Sequence, residues 1–353
     1  MNGTRAGPPG GVAVADRLAE WVAATTGCAG PWELTRLTGG NSNETCLLRH
    51  RDGAYVLRRP PRHVLSASAH NLAREHRVLA ALETAGAPTP RPVGLCEDPA
   101  VPGAPFLLME HIDESCALTD TLPPAWAGAA GAITAVADEI VDALAAVHRV
   151  DWRAAGLDGF GRPEGFLARQ VPRWYGQWQS IRCRPLPEMD PLAEWLEGRH
   201  SDASASADGP VTGIVHGDFH LDNCLFSAAE PRLRAVVDWE MATVGDPLLD
   251  LGLLLAFWGE RVIAAPGMAR IQAVSRLTGA PPREHLLARY EDRVGRRVPD
   301  VDYYRVLALF KLAAIVEAAY AQHRAGRLDT AYAAALEHDV PALLAEATAV
   351  AFG

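Results

Sequence analysis

Apolar and polar positions follow two different periods along this chain, and the change from one to the other divides it. Over Val12–Thr26 the apolar residues recur as on an amphipathic helix, whereas Trp32–Leu37 and Glu44–Arg49 have the composition of strands. Those two strands flank a glycine-rich turn, Thr38-Gly39-Gly40-Asn41-Ser42-Asn43. A third strand, Ala54–Arg59, ends at Pro60-Pro61, where the ladder loses its N–H donors. A helix from about Ala69 to Ala85 puts Leu72, Leu79 and Leu82 on one face before Gly86 and Pro88 stop it. Two further strands follow, near Arg91–Cys96 and Phe106–Ile112. Residues 1–112 therefore read as a small antiparallel sheet carrying one packed helix.

Past Ile112 the helical period takes over. In Ala132–His148, Ile133, Val136, Ile140, Leu144 and Val147 recur at the spacing of a buried helix face. Asp151–Leu196 is tryptophan-rich and reads as helical, and Ser201–Gly209 reads as a surface loop of low complexity. Val211–Val215 is a short β-branched run, followed by the polar loop His216-Gly217-Asp218-Phe219-His220-Leu221-Asp222-Asn223 and the apolar Cys224-Leu225-Phe226. After a turn at Ser227–Arg232, a strand over Ala235–Val237 delivers Asp238, so Asn223 and Asp238 are expected to meet at the mouth of a hairpin. Residues 113–353 thus make a larger, mainly helical lobe, and the fold class is α+β.

Charge and cysteine usage narrow the function. A net charge of −10 argues against nucleic acid as a partner, because phosphate binding needs a concentrated basic surface. The longest apolar run, Leu251–Trp258, is far short of the roughly 20 residues that span a bilayer, and Met1–Ala15 lacks the apolar stretch of a secretory signal. Cys28, Cys46, Cys96, Cys116, Cys183 and Cys224 are scattered without a C-x-x-C pair, as suits reduced thiols in a cytoplasmic protein. The chain has one lysine, Lys311, in a late helical segment; every other side-chain cation that could meet a phosphate is an arginine.

The loop and hairpin carry the chemistry. Asn223 and Asp238 offer the hard oxygens that Mg2+ prefers alongside substrate phosphates. Asp218, five residues before Asn223, can then orient an acceptor hydroxyl and take its proton. Asp246 before Pro247 reads as a helix cap, and His216 as a brace for the loop.

His216-Gly217-Asp218 with Asn223, followed by Val236-Val237-Asp238-Trp239-Glu240, resembles the signature of the aminoglycoside and choline kinase group of kinase-like phosphotransferases. Gly245-Asp246-Pro247-Leu248-Leu249-Asp250-Leu251-Gly252 resembles a further segment of that group. Phe166-Leu167 with Arg169-Gln170-Val171 and Arg173-Trp174 is similar to the phosphotransferase domains attached to certain acyl-CoA dehydrogenases. The resemblance runs from about Leu34 to Phe310 and implies a bilobal protein-kinase-like fold with ATP between the lobes. It implies Asp218 as catalytic base, Asn223 and Asp238 as magnesium ligands, and Arg58 in the slot of a phosphate-pairing lysine, held by Glu75. Ser42 and Gly40 would cover the phosphates with backbone N–H groups, and backbone atoms near Glu110 and Ile112 would meet adenine. The acceptor is then a hydroxyl of a small molecule, a hydroxyacyl-CoA or an aminoglycoside-like compound.

Other readings stay open at the level of sequence. A Gly-Gly turn is often only a hairpin, and Arg58 and Glu75 could be unrelated surface charges. The alternation of His216, Asp218, His220 and Asp222 fits a metal-dependent hydrolase if the segment is extended. The arginine at position 58 is also compatible with a nucleotide-binding pseudokinase. Arg169, Arg173, Arg182 and Arg184 fit either a solvated face or an anionic acceptor.

Overall fold

In the computed structural model, which describes residues 12–13, 15–37, 43–60, 72–98, 100–101, 105–118, 121–126, 128–204, 211–259 and 262–353, the chain forms two units. One comprises Met1–Asp113 with Val237–Ala242, the other Glu114–Val236 with Thr243–Gly353.

The first unit contains β1 (Val12–Ala13), α1 (Asp16–Thr26), β2 (Glu33–Arg36), β3 (Glu44–His50), β4 (Gly53–Arg59), α2 (Leu72–Thr84), β5 (Pro92–Cys96) and β6 (Phe106–Glu110). Its strands make one antiparallel sheet in the order β1-β2-β3-β4-β6-β5. The helix expected from Val12 starts later: Val12 pairs with Leu34 as a strand, and α1 begins at Asp16, whose carboxylate suits a helix N-terminus. Gly27, in the left-handed region at φ 76°, closes α1 by donating to Ala23 O.

The sheet carries two helices, where the sequence suggested one. Leu18 and Val22 of α1 join Trp32, Cys46, Leu48, Leu57, Phe106 and Leu108 in a single buried core. Successive strand side chains point to opposite faces, so with Leu57 in that core its neighbour Arg58 is directed to the other face, where it meets Glu75 of α2. A one-residue slip in the pairing of β4 would bury the arginine in the apolar core.

The second unit contains β7 (Ser115–Ala117), α3 (Ala132–His148), α4 (Phe166–Ile181), α5 (Met189–Ser204), β8 (Gly213–Val215), β9 (Cys224–Ser227), β10 (Leu233–Val236), β11 (Thr243–Gly245), α6 (Leu248–Phe257), α7 (Ala269–Ala273), α8 (Arg283–Val294), α9 (Val301–Arg324) and α10 (Ala331–Phe352). The helix read from Ala132 to His148 has those bounds, and Ile133, Val136, Ile140, Leu144 and Val147 are all buried. β9 and β10 form the expected antiparallel hairpin, Cys224 opposite Val236. Val215 of β8 pairs with Thr243 of β11. Among the described residues no helix is long and apolar enough to cross a membrane.

Every residue of α6 is buried, which explains its uniformly apolar sequence. It packs so closely on α9 that a Cβ at Gly252 would lie 2.3 Å from the carbonyl oxygen of Tyr304. Just ahead of α6, Asp246 works as the anticipated cap: its carboxylate accepts the Leu248 N–H at 3.0 Å and the Tyr304 hydroxyl at 2.9 Å. Burial pushes its pKa up to about 6, against the pull of those two hydrogen bonds.

Two outcomes follow from this packing. Gly252→Ala forces α6 and α9 apart and lowers unfolding stability by about 1–3 kcal/mol in a denaturant titration; an unchanged midpoint would contradict the close approach. Asp246 binds its proton more tightly folded, at about 6, than at the ordinary 3.8, so the folded state holds more protons between those values and stability falls as pH rises through them. Asp246→Asn cannot titrate, and the stability of wild type relative to this variant should drop by on the order of 2–3 kcal/mol across that window. A difference independent of pH would refute the assignment.

Candidate active site

In the second unit the polar loop leaves β8 at Val215 and is pinned at once. Asp250, on the first turn of α6 and 1% exposed, accepts the backbone N–H of His216 at 2.6 Å and of Gly217 at 2.8 Å. His148 Nε2 stands 3.4 Å from the same carboxylate, and its Nδ1 is 2.7 Å from the Tyr290 hydroxyl. Burial pushes the Asp250 carboxyl up, but these partners outweigh it and hold the group below its ordinary value. The loop can then turn through Gly217, at φ 90°, a conformation that favours glycine.

Asp218 comes next. Its N–H donates to His216 Nδ1 at 3.2 Å, so His216 braces the loop as its sequence position suggested. The Asn223 side-chain amide donates to Asp218 O at 2.8 Å and lies 3.4 Å from its carboxylate. His220 Nε2 is 3.4 Å from the same carboxylate, whose side chain is 33% exposed. Burial raises the Asp218 pKa, yet His220, then His216 and Lys311, outweigh it and hold the carboxyl well below the usual range. An ionised, partly exposed carboxylate can accept a proton from a hydroxyl.

Lys311, read from sequence only as a cation in a late helical segment, reaches from α9 to donate to Gly217 O. No local spacing connects position 311 to position 217.

In the first unit Arg58 gathers three carboxylates. Its Nη1 is 2.5 Å from Glu75, and its Nη2 is 2.8 Å from Asp238 and 3.2 Å from Glu240. Asn43 Nδ2 donates to Glu240 at 2.8 Å. With side chains 8% and 2% exposed, Arg58 and Glu75 form a buried ion pair rather than unrelated surface charges. Burial pushes Arg58 down, but Glu75, Asp238 and Glu240 outweigh it and raise its pKa. Burial likewise pushes the Glu75 carboxyl up, against the pull of Arg58. Asp238 has φ 69°, a left-handed conformation that aspartate tolerates better than most side chains, and it leads into the short turn Trp239–Met241 that carries Glu240. Glu240 and Asn43 were not singled out from sequence, although Glu240 stands two residues from Asp238 on the same segment.

The remaining site expectations divide. Ser42 and Gly40 lie outside the described residues. The Glu110 N–H is committed to Arg91 O at 2.9 Å, which takes that donor away from any adenine, and Ile112 lies past the end of β6. Three of the four arginines, Arg169, Arg173 and Arg182, are exposed, as a solvated face requires, and Arg184 is not. Arg184 pairs at 2.6 Å with Glu317, whose side chain is fully buried. Arg173 and Arg182 lie over the rings of Trp174 and Trp178 at 4.5 and 5.3 Å, and Arg169 donates to the carbonyls of Glu164 and Arg162.

Among the described residues no group of three or more His, Cys, Asp or Glu side chains is arranged to hold a metal ion, and the turn at Leu221–Asn223 breaks the extended segment on which the alternation of His216, Asp218, His220 and Asp222 depended. A magnesium site asks for less: one or two oxygen donors that complete their shell with water and phosphate. Asn223 and Asp238 fit in donor chemistry. The Asn223 amide nitrogen is turned to Asp218, leaving its carbonyl oxygen as the ligand atom, and the Asp238 side chain is 35% exposed.

Known proteins share this sequence and fold. Acyl-CoA dehydrogenase family member 10 of Mus musculus is 33% identical over 312 residues, 87% of this chain, and the chain spans only 28% of that protein's length. A candidate aminoglycoside phosphotransferase from Ralstonia eutropha JMP134 is 30% identical with a TM-score of 0.77, covering 96% of this chain and 98% of that one. Spectinomycin phosphotransferase, solved with ADP and spectinomycin, shares the fold at 10% identity with a TM-score of 0.61, again over 96% of this chain and 98% of that one. The phosphotransferase enzyme family matches residues 33–287, a stretch that includes both Arg58 with its carboxylates and the Asp218 loop, and the chain belongs to that family.

Proposed function

We propose that the protein transfers the γ-phosphoryl group of ATP, with magnesium, to a hydroxyl of a small molecule. The observation that carries this reading is the Asp218 loop: an ionised carboxylate, partly exposed, held by His216, Asn223 and His220 on a backbone anchored to Asp250. The acceptor oxygen attacks the terminal phosphorus, the bond to the ADP oxygen breaks, and the hydroxyl proton passes to Asp218. Asn223 and Asp238 would hold the magnesium ion, which when bound neutralises charge on the phosphate oxygens. Arg58 is already fixed as a cation by Glu75 and would pair with phosphate as a planar donor. The ADP bound to spectinomycin phosphotransferase supports ATP as the donor, and six free thiols support a cytoplasmic location.

The exposed Arg173, on the outer side of α4, favours an anionic acceptor over a polycation. A hydroxyacyl-CoA suits that cation, and the similarity to an acyl-CoA dehydrogenase family member supports it; an aminoglycoside-like acceptor is supported by the Ralstonia protein and by viomycin phosphotransferase of Streptomyces vinaceus.

ADP release measured across hydroxyacyl-CoA esters, aminoglycosides, macrolides, choline and sugars tests the reading. Asp218→Asn should lower kcat by roughly 10²–10⁴-fold with little change in the KM for ATP, and Asp238→Ala should abolish magnesium-dependent turnover with the fold retained. Nucleotide binding without ADP release for any acceptor would favour a pseudokinase, and Asp218→Ala turning over as fast as wild type would refute the base.

A further inference from the structure

Lys311 is the sole lysine of the chain, and it lies buried, 7% exposed, on α9. Its Nζ donates to the carbonyl oxygen of Gly217 and stands 5.8 Å from the centroid of the Trp174 ring, within reach of a cation–π attraction. An ammonium is expensive to bury, and a methionine of similar length would fill the same space more cheaply. Burial accordingly pushes the Lys311 pKa down, while Asp250 and Asp218 hold it up. Charge at this position therefore needs a reason beyond packing.

The reason lies in the carbonyl it grips. Gly217 O belongs to the peptide that joins Gly217 to Asp218, and the N–H of Gly217 is already taken by Asp250 at 2.8 Å. Both backbone groups of Gly217 are thus held by side chains from two helices, Asp250 of α6 and Lys311 of α9. The other polar group of that peptide, the Asp218 N–H, is held by His216 Nδ1 at 3.2 Å; glycine is the residue most free to rotate, so without Lys311 the 217–218 plane would keep that single hold, and its rotation swings the Cα–Cβ bond of Asp218. Small errors in the placement of a catalytic group cost turnover steeply.

We infer that Lys311 is a positioning residue, which acts on Asp218 through the Gly217–Asp218 peptide and sets the direction of its carboxylate; this rests on the reading of Asp218 as the base. Lys311 works on the reaction geometry and not on nucleotide affinity, so its loss separates kcat from KM.

The test compares wild type with Lys311→Met, Lys311→Arg and Lys311→Gln, reading ADP release and backbone amide exchange. Lys311→Met should lower kcat by about 10–100-fold with both KM values within about threefold, and speed amide exchange at positions 216–219 but not in α3 or α10. Lys311→Arg, which keeps a cationic donor, should retain more turnover than Lys311→Gln. If the methionine variant does not fold, the arginine and glutamine variants decide alone: kcat falling from wild type to arginine to glutamine at near-constant KM supports the inference. Equal kcat in all folded variants, or a rise in KM with kcat unchanged, overturns it. Should wild type release no ADP with any acceptor, the kinase reading fails, and amide exchange at 216–219 still decides: unchanged exchange refutes the positioning role, and faster exchange supports Lys311 as the clamp on that peptide.

Discussion

The hydrogen bonds from His216 and Gly217 to the Asp250 carboxylate are the constraint on which the second unit's chemistry depends. A buried carboxylate is tolerable only when several donors share its charge, and two backbone amides with His148 supply them. The same contacts fix where the loop begins its turn, and the placement of Asp218, His220 and Asn223 follows from that start. Asp250 touches no reacting group; it converts a glycine-containing loop into a platform.

In the first unit the corresponding constraint is the pleat of β4. Leu57 enters the apolar core and Arg58 is therefore presented on the opposite face. Once there, the guanidinium is balanced by more negative charge than it carries, since Glu75, Asp238 and Glu240 all reach it. An arginine can serve three partners because its donors fan out in a plane, whereas an ammonium would concentrate its charge on fewer. That geometry gives a physical basis for an arginine at this position.

Much of this was legible in the sequence, and what was legible was local. Asp218 and Asn223 lie five residues apart on one loop, and the β9–β10 hairpin follows from two short apolar runs around a turn. The α3 boundaries followed from a clean 3.6-residue period. Arg58 and Glu75 were paired by the family resemblance; their residues alone left open that they were unrelated charges. The failures were of two kinds. Val12 begins a strand because pairing with Leu34 outweighs the helical spacing around it, and tertiary pairing of this sort leaves no periodic trace. Lys311, Asp250 and Asn43 act across 94, 33 and 197 positions of sequence, and a single chain holds no pattern that links such partners. Among the four arginines of α4 and its flank only Arg184 departs from a solvated face, and for the same reason: a charged residue's partner decides its role, and Glu317 is far along the chain from Arg184.

The burial of Lys311 has a practical corollary. Because that ammonium is the chain's only side-chain primary amine and is enclosed beneath α9, acylating reagents that tag lysine will find no reactive side chain on the folded protein. Immobilisation or fluorophore attachment through side-chain amines must use another handle, and Cys183, an exposed residue whose thiol donates to Glu317, offers one.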